Sequence, residues 1–170
     1  EEKQTLPATH SVTHVLLFVT FIKTAKTRIC VVFPGQCQCQ AGWRENDHKC
    51  YYFSADTKTW WEANTFYCVA RGANLVSIHS QEEEAFLSLY SKGSSKWIGL
   101  RNNPTEGGYS WSDGSALSHT HWGPGEPNNH EGREECVEMV SSTNGTYSWW
   151  NDLNCDPDSS STCSACEATS

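Results

Sequence analysis

Acid and amide side chains crowd three short stretches: Glu126-Pro127-Asn128-Asn129, then Glu134-Glu135, then Asn151-Asp152 behind Trp150. Oxygen donors with no cysteine pair or histidine cluster among them suit a hard cation, and calcium takes about six to eight of them. Residues 126–138 hold five acids and one arginine, so the segment carries negative charge that a divalent ion would relieve. A solvated acidic loop would have the same composition. The spacing does not fit an EF-hand loop. His119-x-His121 offers half a zinc site, and His130-Glu131 opens like a metalloprotease motif whose second histidine position is Glu134. Cys37-x-Cys39 and Cys163-x-x-Cys166 lack a second pair at zinc-finger spacing. With no Gly-x-Ser-x-Gly elbow and no phosphate loop, an enzyme is not expected.

These donors fall in or just after residues 112–135, a stretch rich in Gly, Pro, Asn and His. A loop this long in a compact domain is usually functional and needs something to hold it. The elements around it are readable. Cys50–Phe53 reads as a strand after a Gly42-Trp43 turn. A helix is expected from Thr59 to about Arg71, its apolar side formed by Trp61, Thr65 and Cys68 with Ala63, Tyr67 and Ala70 beside them, and Gly72 ending it. Leu75–Ile78 reads as a short buried strand. Ser80 and Glu83 predict a capping box opening a second helix to about Lys92, with acids in its first turn and Phe86, Leu89 and Tyr90 facing the core. Strands are expected at Trp97–Leu100, Tyr109–Ser112, Cys136–Val140 and Ser148–Trp150.

The chain has 170 residues, enough for one domain plus a tail, and a net charge of −8. That balance argues against nucleic-acid or anionic-membrane binding. Nine cysteines suit an oxidising, extracellular compartment, and the odd count leaves at least one thiol free, intermolecular or removed with a leader. Val15–Ile22 is an apolar run far short of a membrane span. Residues 1–36 therefore read as a leader-like or poorly ordered segment, residues 37–168 as the domain and 169–170 as a tail. Asn144-Gly-Thr146 is a glycosylation sequon.

Taken in order, these pieces resemble the C-type lectin domain, of the mannose-type Glu-Pro-Asn subclass, from about Cys39 to Glu167. The resemblance is carried by Cys-x-x-Gly-Trp (39–43), Cys-Tyr-x-Phe (50–53), the Trp-x-x-Ala helix with Cys68, Leu-Val-Ser-Ile (75–78) and Trp-Ile-Gly-Leu (97–100). It continues through Glu-Pro-Asn (126–128), Cys136, Trp-Asn-Asp (150–152), Cys155 and Cys-Glu (166–167). It implies an α+β fold: two helices with two small antiparallel sheets and a long calcium-binding loop, stabilised by disulfides. It also implies the pairs Cys39–Cys50, Cys68–Cys166 and Cys136–Cys155. Cys30, Cys37 and Cys163 have no place in that pattern, so Cys37–Cys163 pairing or a disulfide-linked homodimer through Cys30 or Cys37 is expected.

The same resemblance implies a sugar-binding calcium site at Glu126, Asn128, Glu134, Asn151 and Asp152, with Pro127 cis. Carboxylates accept and amides donate, so Glu126 with Asn128, and Glu134 with Asn151, would each grip a sugar hydroxyl. His130 would offer a small packing face to the sugar. An auxiliary calcium site would use Asn102, Glu106, Asn129, Glu134 and Glu135. The implied function is calcium-dependent binding of mannose, fucose or N-acetylglucosamine-type glycans by a secreted glycoprotein, in glycan or microbial surface recognition and innate immunity. The alternatives are a calcium-independent protein-interaction or mineral-surface module of the same fold, or galactose bound in a turned orientation.

Overall fold

The computed structural model describes residues 39–105, 107–157 and 159–166, the last stretch in backbone alone except Thr162. The expectations for residues 1–36, Cys30, Cys37 and the side chains of Cys163 and Cys166 lie outside the described residues. Eight strands form: β1 (Arg44–Asn46), β2 (Lys49–Lys58), β3 (Asn74–Leu75), β4 (Ser95–Asn102), β5 (Tyr109–Trp111), β6 (Cys136–Ser141), β7 (Ser148–Leu153) and β8 (Ser159–Cys166). They run in the order β1-β2-β8-β4-β6-β7, with β3 on β8 and β5 on β4. One antiparallel set holds β1, β2, β3 and β8; the other holds β4, β5, β6 and β7. A short parallel pairing, Lys96↔Ser160 and Trp97↔Ser161, joins the two sets. With the two helical segments this is the expected α+β architecture.

The first helical segment starts at Thr59, whose side chain accepts from the Glu62 N–H while Glu62 reaches back to the Thr59 N–H, a complete capping box. It changes pitch twice: α1 is one turn (Trp60–Glu62), followed by a π-type stretch (Ala63–Tyr67) and a 3-10 turn (Val69–Arg71). Gly72 closes it in the left-handed region at φ 64°. The buried face is Trp60, Ala63, Tyr67 and Cys68. Trp61, Thr65 and Ala70, expected inward, are exposed. The cap sets the phase. Trp60, one residue after Thr59, enters the core and donates its indole N–H to the Ile98 carbonyl at 2.8 Å, and Trp61 is turned outward.

The second helix, α2 (Gln81–Tyr90), has Ser80 as N-cap, but its capping box is half made. Glu83 turns away from Ser80 and accepts from the His79 N–H, the Tyr51 hydroxyl and Lys49. The buried face is Glu83, Glu84, Leu87 and Ser88; Leu89 and Tyr90 are exposed and Phe86 packs at the margin. A fully buried Glu84 is what shifts this helix from the expected phase. Val76–Ile78, read as strand, are buried outside any ladder.

Two apolar clusters result. One gathers Trp60, Tyr67, Leu75 and Trp97 around the Cys136–Cys155 disulfide. The other places Tyr51, Ile98, Leu100, Val137, Met139 and Trp150 under α2. Each such side chain contributes roughly 1.5–3 kcal/mol on full burial. Cys39–Cys50 ties the start of the domain to β2. Cys68 is disulfide-bonded as well; the side chain expected as its partner, Cys166, is outside the described set.

Candidate functional site

Strand β7 alternates buried and half-buried, so Ser148, Trp150 and Asp152 point into the domain while Trp149 and Asn151 point out. Its expected end at Trp150 is wrong: the ladder with β6 continues to Leu153 and so fixes Asn151 and Asp152 on a strand. The stem of the long loop docks on its other side. Trp150 N–H donates to the His121 carbonyl at 2.7 Å, and Gly123 N–H donates to the Trp150 carbonyl at 2.9 Å. A Cβ at Gly123 would stand 2.7 Å from the Trp149 ring, so this approach requires glycine. Below the stem, the buried Glu84 carboxylate accepts from His119 Nε2 (2.7 Å), His121 Nδ1 (2.7 Å) and Ser148 Oγ (2.8 Å). The two histidines that suggested zinc are therefore spent on a carboxylate.

From the stem the chain turns back on itself. Glu126 N–H donates to the Gly123 carbonyl at 3.0 Å, and the Glu126–Pro127 peptide bond is cis. The Asn128 amide lies 2.9 and 2.8 Å from the two Glu126 carboxylate oxygens. Beneath them Asp152, fully buried, accepts from Asn128 N–H (3.0 Å), Asn129 N–H (2.9 Å) and the Tyr109 hydroxyl (2.9 Å). Asn129 and Glu131 adopt left-handed backbone, at φ 44° and 55°, and residues 130–132 make a single 3-10 turn. Glu134 folds over that turn, accepting from His130 N–H at 2.8 Å, while its own N–H donates to Asn129 Oδ1 at 3.1 Å.

The charges interact. Glu126 is pushed above its ordinary value by desolvation first and then by Asp152, offset in part by Asn128. Burial alone would raise Asp152 too, yet the two backbone N–H donors and the Tyr109 hydroxyl outweigh it and hold Asp152 low. Tyr109 is driven far up by burial, by its bond to Asp152 and by the charges of Asp152, Glu134 and Glu126. Asp152, Glu134 and Glu126 thus all act on one half-buried phenol.

Of the five residues expected in the principal site, the structure brings Glu126, Asn128 and Asp152 together, with Glu134 beside them. The Asn151 amide lies 3.4 Å from Glu138 on β6, and the Glu134 carboxylate is turned to the His130 N–H. Among the auxiliary residues, Asn102 N–H donates to the Glu135 carbonyl, and Asn129 bonds Glu134; Glu106 is outside the described residues. His130 is largely exposed. Among the described residues no three acidic, histidine or cysteine side chains already surround one point at metal-binding distance. The donor set itself, carboxylate and amide oxygens with surplus negative charge, fits calcium. Asn129 and Tyr109 are the participants that sequence spacing did not bring into the principal site. For Tyr109 the available signal was its place in a strand read as alternating, opposite β4.

A further Ser/His/Asp group stands near α2. Asp113 accepts from Ser77 and Ser115 at 2.6 Å each, while the His79 ring meets the same hydroxyls at 3.1 and 3.3 Å. The carboxylate bonds the serines and not the imidazole, so it does not orient a base.

A disulfide-tied α+β domain with two helices, which carries acid and amide oxygens on a long loop against β7, defines a loop-presenting domain. The chain belongs to the C-type lectin domain family, which it matches over residues 56–165. It is 42% identical over 117 residues to the mouse low affinity immunoglobulin epsilon Fc receptor, covering 69% of this chain and 34% of that protein. The chain spans about a third of the length of several curated relatives it matches. Among solved structures it resembles the cow C-type carbohydrate-recognition domain of CD23 in the presence of a GlcNAc2Man3 oligosaccharide (TM-score 0.69, 35% identity, 78% of this chain and 98% of that one). It also resembles a calcium-independent type II antifreeze protein (TM-score 0.67, 31% identity, 76% and 95%). No helix among the described residues is long and apolar enough to cross a membrane.

Proposed function

We propose that this domain binds glycans through a calcium ion held by Glu126, Asn128, Glu134, Asn151 and Asp152. The observation that carries the reading is the acid–amide pair Glu126–Asn128, directly above the buried Asp152. An ion there would supply the charge that Glu126, Asp152 and Glu134 lack, and would present open positions to two neighbouring sugar hydroxyls. Glu134 and Asn151 join by exchanging their present partners, His130 N–H and Glu138. The acid-before-amide order favours mannose, fucose and N-acetylglucosamine over galactose, with His130 as the packing face. Asn102, Glu106, Asn129, Glu134 and Glu135 form the auxiliary site. The disulfides support an extracellular location. Asn144, exposed and accepting from Thr146 within its own sequon, is the glycosylation site. No catalytic role is assigned.

A calcium-independent surface-binding role is the second reading. The resemblance to a calcium-independent antifreeze protein favours it. Affinity chromatography on immobilised mannose separates the two. Retention in calcium, with elution by chelator and by free mannose but not galactose, supports the lectin reading. Passage through the column in calcium contradicts it.

A further inference from the structure

A second pocket lies between the first helical segment and the β4–β5 hairpin. Its volume is about 250 Å³, and Trp61, Asn64, Arg101, Asn102, Ser110 and Ser112 line it. That is below the ~300–1,000 Å³ of a drug-sized site and suits one sugar ring. Two observations mark it as more than a surface dent. Arg101 stacks its guanidinium 4.6 Å over the Trp61 ring, which Trp60 supports edge-on. The Arg101 Nε–H is buried and finds no acceptor in the structure. The nearest carboxylate is Glu135, 4.0 Å from the far nitrogen Nη2, too long for a hydrogen bond.

The chemistry of the lining is consistent with this. Arg101 is the sole charged group among the residues lining the pocket, and it is positive in a chain of net charge −8. Asn64, Asn102, Ser110 and Ser112 surround it with neutral amides and hydroxyls. A guanidinium held flat by an indole, its terminal Nη edge not hydrogen-bonded to Glu135, is arranged for two-point recognition of an oxyanion. The outward turn of Trp61, set by the Thr59 cap, builds one wall.

We propose that this pocket binds an acidic sugar, its carboxylate or sulfate on Arg101 and its hydroxyls on the neighbouring amides and serines. The site needs no metal; Asn102 is shared with the proposed auxiliary calcium site, so binding is tested with calcium chelated.

The test is an NMR titration of the full chain in chelator, which keeps any calcium-dependent binding silent. Glucuronate, N-acetylglucosamine 6-sulfate and glucose are added at millimolar concentration while the Trp61 indole N–H is followed. The expected result is a saturable shift with glucuronate, with the sulfated sugar or with both, the two arms identifying the oxyanion, and none with glucose. Arg101→Lys keeps the charge but loses the planar fork and should weaken binding about tenfold. Arg101→Ala should abolish it. The proposal is overturned by a glucose shift equal to that of the acidic sugars, by Arg101→Lys binding within twofold of the parent, or by no shift with either acidic sugar. In the last case Arg101 serves only to cover Trp61. Mannose retention in calcium is scored separately, so neither result decides the other.

Discussion

At the stem of the long loop a fully buried carboxylate, Glu84, has all its hydrogen bonds supplied by protein donors: two imidazoles and a serine hydroxyl drawn from the loop and from β7. At the tip, Glu126 is half-exposed and lies beside a second acid, Asp152, with the Asn128 amide as its donor partner. Both regions concentrate negative charge against β7. One has been finished with donors; the other keeps an excess of acceptors. The difference separates a finished scaffold from a tip whose surplus acceptors are what the proposed calcium reading rests on. A buried polar group without its partners is costly, so the stem folds by itself. A surplus of partly exposed acids is tolerated at lower cost, and the tip can keep it for use.

The largest expected effect comes from breaking the stem. Glu84→Ala orphans His119, His121 and Ser148 at once, and an unsatisfied buried donor costs about 1–3 kcal/mol. Unfolding by urea in chelator should show a loss of about 3 kcal/mol, and Glu84→Gln should recover about half of it. A loss below about 0.5 kcal/mol, the range of ordinary surface substitutions, would mean the stem cluster contributes nothing special.

Asp152→Ala attacks the tip from below. It removes one proposed ligand and the acceptor that holds Asn128, Asn129 and Tyr109. Calcium affinity by titration calorimetry should fall about 100-fold, equivalent to ~2.7 kcal/mol. Unchanged affinity would remove Asp152 from the site.

Acid should act on the tip before the stem. Calcium binding requires ionised ligands. Glu126, raised by desolvation and by Asp152, takes up a proton at a higher pH than an ordinary carboxyl does. Asp152 has the opposite sign: its depressed value means that the stability it contributes is present above the usual carboxylate range and is lost only as pH falls through its lower folded value. From pH 7.5 to 5, calcium affinity should therefore drop roughly tenfold by proton competition, while unfolding in chelator changes little. Equal calcium affinity at the two pH values would rule this out.

Tyr109→Phe is the finest cut. It deletes one donor to Asp152 and leaves the ring, at an expected cost of about 1 kcal/mol, with calcium affinity down by severalfold. An unaltered affinity would make Tyr109 a packing residue only.

Much of the tip was legible in the sequence, because Glu126-Pro127-Asn128 and Trp150-Asn151-Asp152 are local patterns whose residue types state their chemistry. Thr59 and Gly72 likewise mark the ends of a helical segment whatever its pitch. The faces of the helices were not legible. Trp60 and Trp61 are adjacent and equally apolar, so periodicity could not choose which one is buried, and the choice follows from a cap and one indole bond to Ile98. Glu84 was hidden in a run of three glutamates that reads as charge at a helix start. Its partners lie 35, 37 and 64 residues away. Histidines two apart in an extended stem do share a side, and that was the one available signal. Asn151 shows a related limit: its spacing fits the metal site, and only the strand register shows that its amide lies beside Glu138.

The most direct test of the contrast is amide hydrogen exchange on the intact chain, in chelator and then in calcium. Residues 126–135 should gain protection when calcium is added. Residues 119–123, already held through Glu84 and β7, should exchange slowly in both conditions. Equal protection of the tip with and without calcium, or a stem that becomes protected only when calcium is present, would contradict the account.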